Sequence, residues 1–244
     1  MSKKVSLFAT CIADMFYPQA LESTCRLLQS QGITVEYPKD QICCGQPSFN
    51  AGYVDEAAKV AKNLIEAFEH SEYVISPSGS CTAMIREHYP VLFENDPVML
   101  EKAKDLGNKV YEFSEFFVKV LGVTNVGAKL NAKVTYHFSC HMTRLLRVKE
   151  APIELIKNIE GIEYIELPNN QDCCGFGGTF SVKMADISSA MLNEKIKNIQ
   201  STGAEILVGS DLSCLMNISG GLSRQGIPIK TMHVAELLDR GLRS

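Results

Sequence analysis

Glu72-Tyr-Val-Ile-Ser-Pro-Ser-Gly-Ser-Cys81 lies against Glu205-Ile-Leu-Val-Gly-Ser-Asp-Leu-Ser-Cys214 without a gap, and each stretch runs from an apolar segment into a cysteine. Working outward from that pair, the chain falls into register with itself. Cys11 matches Cys140 (140 − 11 = 129), Cys43-Cys44-Gly45 matches Cys173-Cys174-Gly175 (173 − 43 = 130), and Cys81 matches Cys214 (214 − 81 = 133). Gly32 falls on Gly161 and Pro38 on Pro168, while Ser114-Glu115-Phe116-Phe117 resembles Ala235-Glu236-Leu237-Leu238. Eight of the nine cysteines obey the duplication, so the chain reads as two tandem copies of one module.

Strand and helix patterns alternate within each copy. Val5–Thr10 is an apolar strand leading into Cys11, Pro18–Gln31 a helix stopped by Gly32, and Ile33–Tyr37 a second strand. Tyr53–His70 places Val54, Ala57, Ala58, Ala61, Leu64, Ile65 and Phe68 at helical spacing, and Tyr73–Ser76 is a third strand. The second copy repeats this with a strand over Lys133–Phe138, a helix over Ala151–Glu160, a strand over Ile162–Leu167, a helix over Phe180–Gln200 and a strand over Glu205–Val208. The fold class expected is α/β: two pseudo-symmetric Rossmann-like modules with parallel sheets, over residues 1–125 and 126–244. Gly122, Thr124, Asn125 and Gly127 interrupt the pattern and set that boundary. Every cysteine element follows a strand, at the carboxyl end where loops of parallel sheets converge on a crevice.

With 45% apolar and 21% charged residues, the composition is that of an ordinary globular chain. The net charge of −4, with no basic stripe carrying aromatics, speaks against nucleic acid as a partner. Ser2-Lys3-Lys4 before Val5–Ala13 imitates a short export signal, but Cys11 has a counterpart deep inside the chain. No apolar run approaches the ~20 residues that cross a bilayer. The expectation is a cytoplasmic protein without a transmembrane segment, in which cysteines serve metal or redox chemistry rather than disulfides.

Each copy offers four thiols: Cys11, Cys43, Cys44 and Cys81 in the first, Cys140, Cys173, Cys174 and Cys214 in the second. Zinc sites favour Cys-x-x-Cys knuckles, whereas adjacent cysteines point apart and suit two irons of one cluster. Four cysteines also match the ligand count of a [4Fe–4S] cube, one per domain. Zinc in one domain, stabilising a protein-interaction module without redox role, is the competing reading, and a metal-free vicinal dithiol acting as a thiol–disulfide (heterodisulfide) reductase-type enzyme a third. Gly45 and Gly175 are read as positions of close backbone approach or positive φ beside the site. His141 and Arg144, just after Cys140, are candidate hydrogen-bond donors to cluster sulfur. Cys25 stands with Leu21 and Leu28 on one helix face and reads as core. Gly175-Phe-Gly-Gly178 and Gly221–Gly226 lack dinucleotide and phosphate-loop spacing.

These Cys…Cys-Cys-Gly…Cys elements resemble the cysteine-rich, or CCG, domain found in heterodisulfide reductases and in the iron–sulfur subunit of glycolate oxidase. The resemblance spans the whole chain, including Cys140-His141 and Cys173-Cys174-Gly175-Phe176-Gly177-Gly178-Thr179-Phe180. It implies an iron–sulfur subunit of an oxidoreductase complex that oxidises L-lactate to pyruvate, transferring electrons and acting with lactate utilization proteins B and C. One departure stands out. The heterodisulfide reductase relatives end in Cys-x-x-Cys, but Met84 and Asn217 occupy the fifth-cysteine positions here. That argues against disulfide-reducing chemistry and for four-cysteine sites. Flavin or nicotinamide, the usual acceptors of a hydride from a hydroxy acid, have no motif in the chain.

Overall fold

The computed structural model describes residues 3–243, so Ser2 of the signal-like stretch lies outside the described residues. The chain divides into two compact units, Met1–Phe113 and Ser114–Ser244. Residues 114–125 thus fall with the second unit, where the turn Phe116–Val120 packs on the helix Glu150–Lys157.

The first unit holds β1 (Lys4–Leu7), β2 (Thr34–Glu36), β3 (Val74–Ser76) and β4 (Val110–Glu112). They form one parallel sheet in the order β2-β1-β3-β4. The second unit holds β5 (Lys129–His137), β6 (Glu160–Tyr164), β7 (Ile206–Gly209) and β8 (Lys230–His233), parallel in the order β6-β5-β7-β8. This is the expected Rossmann-like architecture, twice.

Strand register preserves the sequence offsets. Ser6 pairs with Val74 and Thr135 with Leu207, which keeps 129 on the first strand (135 − 6) and 133 on the third (207 − 74). Lys4 pairs with Thr34 and Lys133 with Glu163, again 129 apart on both strands. A one-residue slip would turn every side chain to the opposite face, so this agreement fixes equivalent residues on equivalent faces.

The inner strands are apolar because helices cover both faces of each sheet. Val74, Ile75, Leu207 and Val208 are fully buried. The first core gathers Phe8, Leu64, Phe68, Tyr89 and Leu106, with Phe8 edge-on to Phe68 at 5.6 Å. The helix Pro18–Ser30 starts on its proline and ends before Gly32, whose φ of +73° reverses the chain into β2.

Three local expectations are corrected. β4 and β8 add a fourth strand to each sheet. The span 180–200 is two helices, Thr179–Lys183 and Ala185–Ser201, broken at Met184 (φ −124°, ψ 49°). The strand expected over 162–167 begins earlier and ends at Tyr164.

In each sheet the chain leaves the first strand in one direction and returns to the third on the other side. The switch point therefore lies between β1 and β3, and between β5 and β7. Cys11 follows β1 and Cys81 follows β3, so both thiols flank the switch point; Cys140 and Cys214 do the same in the second unit. Among the described residues no helix is long and apolar enough to cross a membrane.

Candidate metal centres

In the first unit the four expected sulfurs meet. Cys11 opens the helix Cys11–Phe16, and its Sγ lies 3.7 Å from Cys43 Sγ. Cys81 sits in the first turn of Gly79–Ala83, where the Ser78 hydroxyl accepts from its backbone N–H, and its Sγ lies 3.4 Å from Cys44 Sγ. The adjacent cysteines thus turn to different partners, Cys43 towards Cys11 and Cys44 towards Cys81. All nine cysteines are free thiols.

Loop geometry sets this up. Gly45 has φ +83°, a left-handed turn that carries the chain away directly after the cysteine pair. Gln41, which sequence reasoning passed over, braces the cysteine loops to one another. Its amide oxygen accepts from Ala9 N at 2.8 Å, and its NH2 donates to Leu7 O and Pro38 O. Cys44 and Cys81 face inward, whereas Cys11 and Cys43 are half-buried and open onto a cavity of about 190 Å3 lined also by Tyr37 and Met15.

The second unit repeats the plan. Hydrogen bonding links Cys140 to Cys173, Cys173 to Cys174 and Cys174 to Cys214. Gly175 has φ +84° and donates its N–H to Cys173 Sγ at 3.4 Å. A Cβ there would stand 2.6 Å from Ser188 O, so close backbone approach and positive φ act together. His141 Nδ1 lies 3.5 Å from Cys140 Sγ. Arg144 reaches instead to the Gln171 carbonyl. Cys25 is half-buried on Pro18–Ser30 and stands outside both quartets.

Electrostatics shows what such a quartet needs. Hydrogen bonds from Cys11 and then Cys44 pull the Cys43 thiol down to about 3, while Cys11 is pushed far up as the donor. Cys173 is pulled down to about 2 by Cys140 and Cys174, and Cys140 rises for the same reason as Cys11. Without a cation, ionising one sulfur thus holds the proton on its neighbour. Four thiolates in contact require positive charge among them, and a set made wholly of soft sulfur selects zinc, copper(I) or iron–sulfur clusters. The residues present fit such a group.

The units differ in two respects that sequence reasoning missed. His137 ends β5, is 1% exposed, and has no hydrogen-bond partner at either ring nitrogen. One ring nitrogen and the sulfurs of Cys174 and Cys214 all lie within 4.8 Å of one another. Burial pushes its pKa down to about 3, so the ring is neutral near pH 7. Its counterpart is Phe8 (137 − 129 = 8), and Asp211, also buried, stands where the first unit has Ser78 (211 − 133 = 78). The Phe8-to-His137 change in the repeat was the available signal.

Two parallel sheets, each with four sulfurs gathered at its switch point, define a duplicated cysteine-rich class of α/β protein. The CCG cysteine-rich domain matches residues 5–86 and 134–219. Lactate utilization protein A of Geobacillus sp. (strain WCH70) is 54% identical over 236 residues, covering 97% of this chain and 99% of that one. The protein of the same name from Bacillus subtilis (strain 168) shares the same identity and coverage. A crystal structure of a hypothetical protein from Helicobacter pylori aligns over 99% of this chain and 49% of that chain, with TM-score 0.69 and 10% identity, a likeness of fold alone. The chain belongs to the cysteine-rich CCG domain family, and within it to the lactate utilization protein A family.

Proposed function

We propose that this chain is the iron–sulfur subunit of a cytoplasmic oxidoreductase complex that oxidises L-lactate to pyruvate, acting with lactate utilization proteins B and C. Cys11, Cys43, Cys44 and Cys81 hold one [4Fe–4S] cluster, and Cys140, Cys173, Cys174 and Cys214 hold the other. The clusters supply one-electron acceptance. The chain's own residues seat that chemistry: the paired strand-end loops present thiolates, Gly45 and Gly175 turn the backbone clear, and buried apolar side chains exclude water behind the sulfurs.

One observation carries this reading. In the first unit the adjacent cysteines diverge to different partners, Cys43 to Cys11 and Cys44 to Cys81, which suits different atoms of one multi-metal group, while the sulfur spacings of 3.7 and 3.4 Å suit a single four-coordinate ion as well. The names of the relatives supply lactate and its pathway. Nine free thiols belong in a reducing compartment.

Anaerobic purification of the full chain tests it. The protein should be brown, with about four irons and four acid-labile sulfides per unit, and its loss should abolish growth on L-lactate. Colourless anaerobic protein carrying zinc and no sulfide overturns the cluster assignment.

A second reading has its own observation. His137 with Cys174 and Cys214 is a donor set that zinc accepts, so zinc in the second unit is the alternative there.

A further inference from the structure

We propose that His137 is a nitrogen donor to the metal group of the second unit, so that the two sites of this duplicated protein are chemically unlike: four thiols in the first, thiols plus imidazole in the second. The inference rests on the reading that the thiol quartets hold metal, and it holds for iron or for zinc.

A buried imidazole ordinarily satisfies at least one ring nitrogen, because a buried polar group that has lost its water and found no partner is destabilising. His137 leaves both unpaired in a site it shares with two cysteine sulfurs. It stands on the last residue of β5, paired with Gly209 on β7, so the switch point itself presents the ring to the thiols. Tyr136 fixes the strand end from the opposite face, its hydroxyl 2.9 Å from Ser210 Oγ. The strand register rules out an alignment accident: residues 129 apart occupy the same place in both sheets, and the first unit puts Phe8 against Phe68 where the second puts a ligand-grade nitrogen. Where the first unit has an apolar wall at this place, the second has a donor.

The chemical consequence follows from charge. Neutral imidazole in place of one thiolate leaves the metal group less negative than an all-thiolate set, and a reduced cluster is then easier to form; histidine ligation raises the potential of two-iron clusters in this way. The second site should therefore hold an electron more tightly than the first.

The test uses the full chain, purified anaerobically, with iron, sulfide and zinc measured first. In iron-loaded, reduced protein carrying 15N-histidine, pulsed electron paramagnetic resonance should show a histidine nitrogen coupled to one of the two centres. That coupling should persist in His141→Ala and disappear in His137→Phe, which installs the residue of the first unit, with a lower potential for one centre only. Absence of histidine coupling in unaltered iron-loaded protein overturns the inference while leaving the cluster assignment intact. So does a coupling that survives His137→Phe. Should the protein hold zinc and no sulfide, the cluster assignment fails and the histidine is read separately, from cobalt(II) exchanged into the unaltered chain and His141→Ala. A histidine nitrogen hyperfine coupling at one of the two cobalt sites supports the inference, and thiolate-only spectra at both overturn it. The unaltered chain together with His141→Ala decides both arms even where His137→Phe does not fold.

Discussion

Asn217 donates from its side-chain amide to the carbonyl oxygen of Cys174 over 2.9 Å, and Tyr89 donates its hydroxyl to the equivalent carbonyl of Cys44 over the same distance. Both donors come from the segment that follows the last cysteine of their unit. Asn217 occupies the position where heterodisulfide reductase relatives carry a fifth cysteine, and the matching Met84 is fully buried in the core. Asn217 is thus committed to holding the cysteine loop, and Met84 to the core that also buries Cys44. Tyr89→Phe keeps the ring packing but strands a buried carbonyl, which should lower stability by about 1–3 kcal/mol. Asn217→Ala, at a half-buried site, should cost less. Denaturant midpoints of metal-free protein, at unchanged slope, measure both; a Tyr89→Phe midpoint equal to that of the unaltered chain would sink this account.

The glycines of the two Cys-Cys-Gly elements should respond unequally. Alanine at either position forces a side chain into left-handed backbone, about 1–2 kcal/mol. At Gly45 the new Cβ meets its nearest neighbours at 3.4 Å, an ordinary contact. At Gly175 it collides with the Ser188 carbonyl at 2.6 Å, and that same helix donates the Ser188 hydroxyl to Gly175 O. Gly175→Ala should therefore be the more destabilising by thermal melting and should reduce metal in the second unit. Equal melting temperatures for the two variants would contradict the packing argument.

Single ligand removals should act on one unit at a time. Each quartet is built from three loops of a single sheet, so Cys44→Ser should empty the first site and Cys174→Ser the second. Iron per chain, measured anaerobically, should fall to about half in each variant. Simultaneous loss from both sites in either variant would show that the quartets are not independent.

How much of this was readable without coordinates depended on what the repeat made visible. Cys11, Cys43, Cys44 and Cys81 are unusual residues recurring at nearly constant offsets, so the quartets and the parallel α/β modules could be anticipated. β4 could not: Val110–Glu112 continues straight from the helix Pro97–Lys109 with no turn residue between them. β8 is Lys230-Thr-Met-His233, an edge strand without the apolar run that marks an inner one. The break falls at the exposed Met184, where no proline or glycine marks it in the sequence. His137 escaped because a lone histidine at a strand end has no spacing signal, and only comparison with Phe8 exposes it. Gln41 carries no pattern at all, since its three hydrogen bonds depend on where two loops converge.

Reactivity against pH tests the electrostatics of the metal-free quartets. Hydrogen bonds from Cys11 and Cys44 hold Cys43 down at about 3, and those from Cys140 and Cys174 hold Cys173 at about 2. A thiol with a depressed pKa is already thiolate above that value, so its alkylation rate should stay nearly flat from pH 5 to 8. An ordinary thiol, near 8.5, gains about tenfold per pH unit over the same range. Cys25, raised by burial, provides a steep internal reference in the same chain. Cys44 is buried and should label slowly throughout. Lower basicity also weakens a thiolate as a nucleophile, so the contrast should be widest near pH 5, where Cys43 and Cys173 are ionised and Cys25 is not. Peptide mapping after brief iodoacetamide treatment reads each site separately. A Cys43 rate that climbs as steeply as that of Cys25 would mean that the proton is not shared along the quartet, and that the sulfurs do not communicate as their contacts require.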